Sequence, residues 1–76
     1  MEPYANLSGD SPIIAYKPLG NAIVVRYRSF IDYTYRADRI GINHIQTMCA
    51  LGAAGRGLST YINQHLDVKY GYSSKN

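Results

Sequence analysis

Seventy-six residues allow one domain and leave it near the lower limit for folding alone, where a single core rarely supplies more than about 3–5 kcal/mol. The lone Cys49 excludes an internal disulfide, and no C-x-x-C or H-x-x-x-H spacing offers a metal cage, so a homo-oligomer is the remaining way to reinforce so small a core. The net charge of +3 is compatible with anionic partners without demanding them. Eight tyrosines with no tryptophan supply rings that pack like Phe yet carry a polar tip, suited to interfaces and to stacking on planar ligands.

The start, "MEPYANLSGD", has neither the basic nor the apolar region of a signal peptide, and no apolar run approaches the ~20 residues that span a bilayer. With one cysteine, these features lead us to expect a cytoplasmic chain with no membrane partner. Residues 1–12 mix Pro, Gly, Ser and Asn without periodicity and read as a loose leader. "IIAYK", between Pro12 and Pro18, has strand composition, and "PLGN" turns the chain. "AIVVRYR" then alternates Ile23, Val25 and Tyr27 against Val24, Arg26 and Arg28, and "IDYTYR" alternates Ile31, Tyr33 and Tyr35 against Asp32, Thr34 and Arg36. Opposed residues share a face, so Ile23, Val25 and Tyr27 should oppose Tyr35, Tyr33 and Ile31. That register leaves Arg28-Ser29-Phe30 as a three-residue loop, with a five-residue loop the next solution of equal parity. A two-residue loop would set Arg26 beside Tyr33 and mix the faces.

After "RADR" the period changes. Asn43 is placed to cap a helix, with Gln46 in the capping-box position; Ile42, Ile45, Met48 and Cys49 fall on one side, and Gly52 supplies a stop. "LSTYINQHL" spaces Leu58, Tyr61, Ile62 and His65 as a second amphipathic helix. A short extended segment through Val68, Tyr70 and Tyr72 should follow, with 73–76 a frayed tail. The expected architecture is a single α+β domain over 13–72: a three-stranded antiparallel meander followed by two short helices packed on one face.

This order of residues resembles the KTSC domain, named for the C-terminus of some lysyl-tRNA synthetases and found also in small stand-alone bacterial and phage proteins. The resemblance runs over residues 13–72 through "IIAYKPLGNAIVVRYRSFIDYTY", the "INHI" helix, a glycine and "YIN…Y". Its most distinctive matches are Tyr33 and Tyr35, then Tyr61, Ile62 and Asn63. The chain departs from the family pattern at Phe30, where Gly is usual, at Ile42, where Pro is usual, and in the glycine-rich "GAAGRG". The resemblance implies a non-catalytic accessory module with RNA as a candidate contact.

Two constellations carry possible ligand chemistry. In "GAAGRGLST", Gly52 and Gly57 have P-loop spacing, but Leu58 stands where lysine is required and no strand precedes the loop. A weaker anion site remains: backbone N–H groups at Gly55 and Gly57, an Arg56 fork, and a hydroxyl from Ser59 or Thr60. The plainer reading is a helix stop followed by a permissive turn. The second constellation is Arg26, Arg28 and Arg36 on one sheet face, with Arg39 beyond. Such a face, rimmed by tyrosines, suits an oligonucleotide or nucleotide; the plainer reading is the solvated side of a one-sided sheet, with Asp32 among the arginines. His44 and His65 have no Ser or Cys at fixed spacing, Cys49 lies on an apolar stripe, and the acidic residues offer no close pair. No enzymatic activity and no cofactor are expected.

The expected function is therefore a small non-catalytic module holding a phosphate-bearing ligand, RNA or a nucleotide. Arg26, Arg28, Arg36 and Arg56, with Gly55, Gly57 and Ser59, would contact phosphate, while Tyr4, Tyr16, Tyr70 or Tyr72 stack on a base. A phage-type variant would be an oligomer sequestering a signalling nucleotide in pockets shared between subunits. The competing class is a protein-interaction or assembly module built on exposed tyrosines.

Overall fold

Period-two alternation in the middle of the chain becomes the centre of an antiparallel sheet. The computed structural model describes residues 1–76 and places five strands across the sheet in chain order: β1 (Glu2–Pro3), β2 (Ile13–Pro18), β3 (Ala22–Tyr27), β4 (Asp32–Arg36) and β5 (Ser74–Lys75). Between β4 and β5 lie four helices, α1 (Ala37–Ile40), α2 (Ile42–Ala54), α3 (Leu58–Gln64) and α4 (Leu66–Lys69). The class is α+β, and the three-stranded meander is the centre of a wider sheet.

The β3–β4 register is the one that parity selects: Ile23 opposes Tyr35, Val25 opposes Tyr33, and Arg26 opposes Asp32. The hairpin closes through Arg28-Ser29-Phe30, with Tyr27 N–H donating to Ile31 O at 3.1 Å and Phe30 N–H donating to Tyr27 O at 2.8 Å. Phe30 takes the left-handed position of this three-residue loop, φ 62°, where a glycine would be unstrained. On the inner face Ile13, Tyr16, Ile23, Val25 and Tyr35 pack against Ile45 and Met48 of α2, Leu58 and Ile62 of α3, and Val68 of α4.

Both chain ends are more ordered than their composition implies. Instead of a loose leader, Glu2 and Pro3 pair with Tyr16 and Ala15. Tyr4 is buried, and its hydroxyl accepts the Leu58 N–H at 3.3 Å. The polar residues that suggested looseness satisfy one another locally: Ser11 N–H donates to Asn6 Oδ1 at 3.1 Å, and Asn6 Nδ2 donates to Ser11 O at 3.2 Å. Instead of a frayed tail, Ser74 pairs with Thr34 and Lys75 with Tyr33.

The helices also differ from expectation. Asn43 caps nothing; α2 starts at Ile42 after Gly41, whose φ is 92°, and Ile42 is exposed. Gly52 does not stop the helix. It lies inside α2 because Tyr16 packs onto it so closely that a Cβ would meet the ring at 2.9 Å. The stop is Gly55, left-handed at φ 78°, whose N–H donates to Leu51 O and Gly52 O. Between α3 and β5 the expected extended segment does not form: Val68 is a buried helical residue of α4, and Tyr70, φ -101° and ψ 3°, is not extended. No helix is long and apolar enough to cross a membrane.

Candidate functional site

Alternation along β3 and β4 directs Tyr27, Tyr33 and Tyr35 to the core face, but the helices do not cover that whole face. A cleft of about 380 Å³ opens between the β3–β4 hairpin and the α3–α4 end of the helical layer. Tyr27, Tyr33 and Tyr35 form its sheet side, with Ser29 and Ile31 at the hairpin. Ile62 and Asn63 of α3, Lys69 of α4, and then Tyr70 and Tyr72 complete the opposite wall.

Tyr33 is the hub of the aromatic wall. It meets Tyr72 edge-on with ring centroids 5.0 Å apart, Tyr27 edge-on at 5.3 Å, and Tyr35 in a stacked arrangement at 6.5 Å. These contacts orient the rings before any ligand arrives. Lys75 Nζ lies 5.6 Å from the Tyr33 ring centroid and Lys69 Nζ 5.7 Å from that of Tyr70, so positive charge borders the wall. Tyr70 is 69% exposed and presents an uncovered ring at the rim.

Burial pushes the phenols of Tyr27 and Tyr35 up, and the neighbouring tyrosines raise Tyr35 further. A phenol raised in the folded state contributes stability below its unfolded titration, about pH 10, and that contribution is lost as pH rises beyond it. We therefore expect alkaline unfolding, with some phenolate absorbance appearing only together with the loss of the circular dichroism signal. Complete tyrosine ionisation in a chain still folded would contradict this.

The structure divides the residues nominated from sequence. Tyr70 and Tyr72 line the cleft. Tyr4 and Tyr16 are core residues, buried under other side chains, and present no face to a base. Arg26 and Arg36 lie on the opposite sheet face, each gripping a carboxylate with two bonds: Arg26 to Asp32 at 2.8 and 3.0 Å, Arg36 to Asp38 at 3.3 and 3.0 Å. These guanidinium groups hold both carboxyls below the usual carboxylate range. Arg28 is exposed at the hairpin loop, and Arg56 is exposed at the α2–α3 joint. The arginines are thus spread over separate elements, and none lines the cleft.

The glycine loop is occupied with structural work. Gly55 and Gly57 are both left-handed, φ 78° and 85°. The Gly55 N–H is taken by Leu51 O and Gly52 O and the Leu58 N–H by the Tyr4 hydroxyl, while Gly55 O accepts the Leu7 N–H at 2.7 Å and Gly57 O the Tyr61 N–H at 2.9 Å. Ser59 makes no capping bond. The plainer reading, a stop and a turn, accounts for the geometry, with the stop moved from Gly52 to Gly55.

A second polar cluster joins three helices. His44 of α2 places Nδ1 2.6 Å from the Tyr61 hydroxyl of α3 and Nε2 2.9 Å from Asp67 Oδ2 of α4. His65 stacks on the Tyr61 ring at a centroid distance of 4.0 Å and donates from Nδ1 to Tyr61 O at 2.8 Å. Hydrogen bonding to His44 holds the Asp67 carboxyl below its usual range. Sequence reading sought Ser or Cys near each histidine and overlooked tyrosine as the hydroxyl partner. Cys49 stays apart, its thiol pushed up by burial.

No family model matches the chain, and neither a curated protein nor a solved structure matches it.

Proposed function

We propose that the chain is a small binding module for a base-bearing phosphate ligand, a nucleotide or one residue of RNA, held in the tyrosine cleft. The observation that carries this reading is the convergence of five tyrosines and Lys69 on one cleft of about 380 Å³, within the size range of small-molecule sites. A nucleotide combines the two features such a lining recognises: a planar ring for stacking and a phosphate for the ammonium. Tyr70 and Tyr72 stack on the base against the wall held by Tyr33. Lys69 meets the phosphate, and the Asn63 amide, with donors and an acceptor, reads a base edge. Arg28 and Arg56 contribute to the positive field that attracts the ligand, whereas Arg26 and Arg36 are committed to carboxylates. The KTSC resemblance, which implies an accessory module with RNA as a candidate contact, is compatible with this ligand class. The role is binding, with no catalytic step in the cleft.

One observation favours a second reading, an assembly module whose exposed aromatics build a protein interface: Phe30 and Tyr70 are 74% and 69% exposed. In that reading the rim docks on a second copy and the chain is a homo-oligomer.

Calorimetric titration with adenosine 5′-monophosphate at two salt concentrations separates the two. The first reading predicts binding that weakens as salt rises. Tyr70→Ala, which removes an exposed ring and spares the fold, should lower affinity by about 1–3 kcal/mol. Lys69→Ala should weaken binding and flatten its salt dependence. Absence of binding, together with salt-insensitive self-association that Tyr70→Ala abolishes, would establish the second reading.

A further inference from the structure

The cluster at the junction of α2, α3 and α4 has a directional hydrogen-bond order. Asp67 is a carboxylate and accepts only, so the neutral His44 ring carries its proton on Nε2. That leaves a lone pair on Nδ1, facing the Tyr61 hydroxyl at 2.6 Å. The phenol therefore donates to the imidazole, and the carboxylate fixes the tautomer that makes this possible. His65 restrains the Tyr61 ring by stacking on it and also meets the His44 ring edge-on at a centroid distance of 5.4 Å, with its own Nδ1 bound to the Tyr61 carbonyl. Nucleophile, base and orienting group stand within hydrogen-bond reach in series, the arrangement that activates a hydroxyl for covalent chemistry. Tyr61 is the one tyrosine of the eight whose hydroxyl meets an imidazole or carboxylate.

From this geometry we propose that Tyr61 is a base-activated phenol that accepts an acyl group from an activated ester, a chemistry separate from the tyrosine cleft. Tyr61 Oη attacks the ester carbonyl carbon while its proton passes to His44 Nδ1, and Asp67 stabilises the imidazolium that forms. Collapse of the tetrahedral adduct breaks the bond to the leaving oxygen, which departs with the electron pair and takes the proton from Nδ1. The products are an aryl ester on Tyr61 and the free alcohol. Water then attacks the aryl ester, His44 accepts the water's proton and returns it to Tyr61 Oη as that bond breaks, and the carboxylic acid leaves. A phenol is a better leaving group than an aliphatic alcohol, which favours the second half.

The whole chain would be treated with p-nitrophenyl acetate, with the released nitrophenol followed by absorbance and the acetyl group located by peptide mass mapping. Acetylation at Tyr61 should outpace that at the other seven tyrosines. His44→Gln keeps polar contacts but removes the base, and should slow Tyr61 labelling by about 100-fold or more while leaving the lysines unaffected. Should His44→Gln fail to fold, Asp67→Asn, at an exposed position, supplies the same test through loss of the orienting carboxylate. Tyr61→Phe should abolish the fast phase. Labelling of Tyr61 no faster than of the other tyrosines would overturn the proposal. So would a fast phase that persists in Tyr61→Phe, because the nucleophile would then be an imidazole.

Discussion

Tyr35→Ala should remove about 3–5 kcal/mol of stability, the cost of truncating a buried aromatic, and leave little native protein in a chain of this size. Tyr35 is 1% exposed, opposes Ile23 across the β3–β4 ladder, and stacks with Tyr33. It therefore serves the core and the floor of the cleft together. Its neighbour Thr34 points to the other face, so Thr34→Ala should cost far less. Urea unfolding of the two variants checks the assignment of faces, and equal losses would contradict it. Tyr33, half-buried on the cleft wall, should fall between them.

The second large effect concerns Gly52, and its sign is opposite to what helix propensity predicts. In an ordinary helix interior, Gly→Ala gains about 1 kcal/mol. At Gly52 a Cβ would sit 2.9 Å from one carbon of the Tyr16 ring and 3.0 and 3.1 Å from two more. Tyr16 is itself enclosed in the core, so the ring cannot swing into solvent to make room. Gly52→Ala should therefore destabilise, by the overpacking cost of about 1–3 kcal/mol less the propensity gain, and Gly52→Leu should prevent folding. A stabilised Gly52→Ala would show that α2 and β2 are not in this close contact.

These two residues mark where sequence reasoning succeeds and where it stops. Tyr35 was legible because period-two alternation fixes faces, and parity then fixes the partner of each residue and the three-residue loop. The same register put Asp32 opposite Arg26, which explains why that arginine of the basic face is neutralised. Gly52 was misread as a stop because a glycine needed for close approach and one needed for positive φ look alike in sequence. The real stop, Gly55, lay three residues on. The ordered termini escaped notice for a similar reason: a two-residue strand has no periodicity to detect, and its partner must be known first.

The candidate site was legible in part. Tyr70 and Tyr72 were nominated from composition, but Tyr27 and Tyr33 were assigned to a covered core. They are accessible because the cleft opens between the β3–β4 hairpin and the α3–α4 end of the helical layer. Nothing local to Tyr27 or Tyr33 encodes that opening. The Asp67–His44–Tyr61 cluster was hidden by separation, its members lying 17 and 23 residues apart along the chain.

The central claim is that the ligand sits in the tyrosine cleft rather than on the arginine face or the glycine loop. Two-dimensional ¹H–¹⁵N NMR of the full chain, titrated with adenosine 5′-monophosphate, tests it residue by residue. The account predicts that the largest, saturable shift changes fall on Asn63, Lys69, Tyr70 and Tyr72 and along the hairpin from Tyr27 to Tyr33. Changes centred on Arg26 and Arg36, or on the Gly55–Gly57 turn, or no change at millimolar ligand, would contradict it.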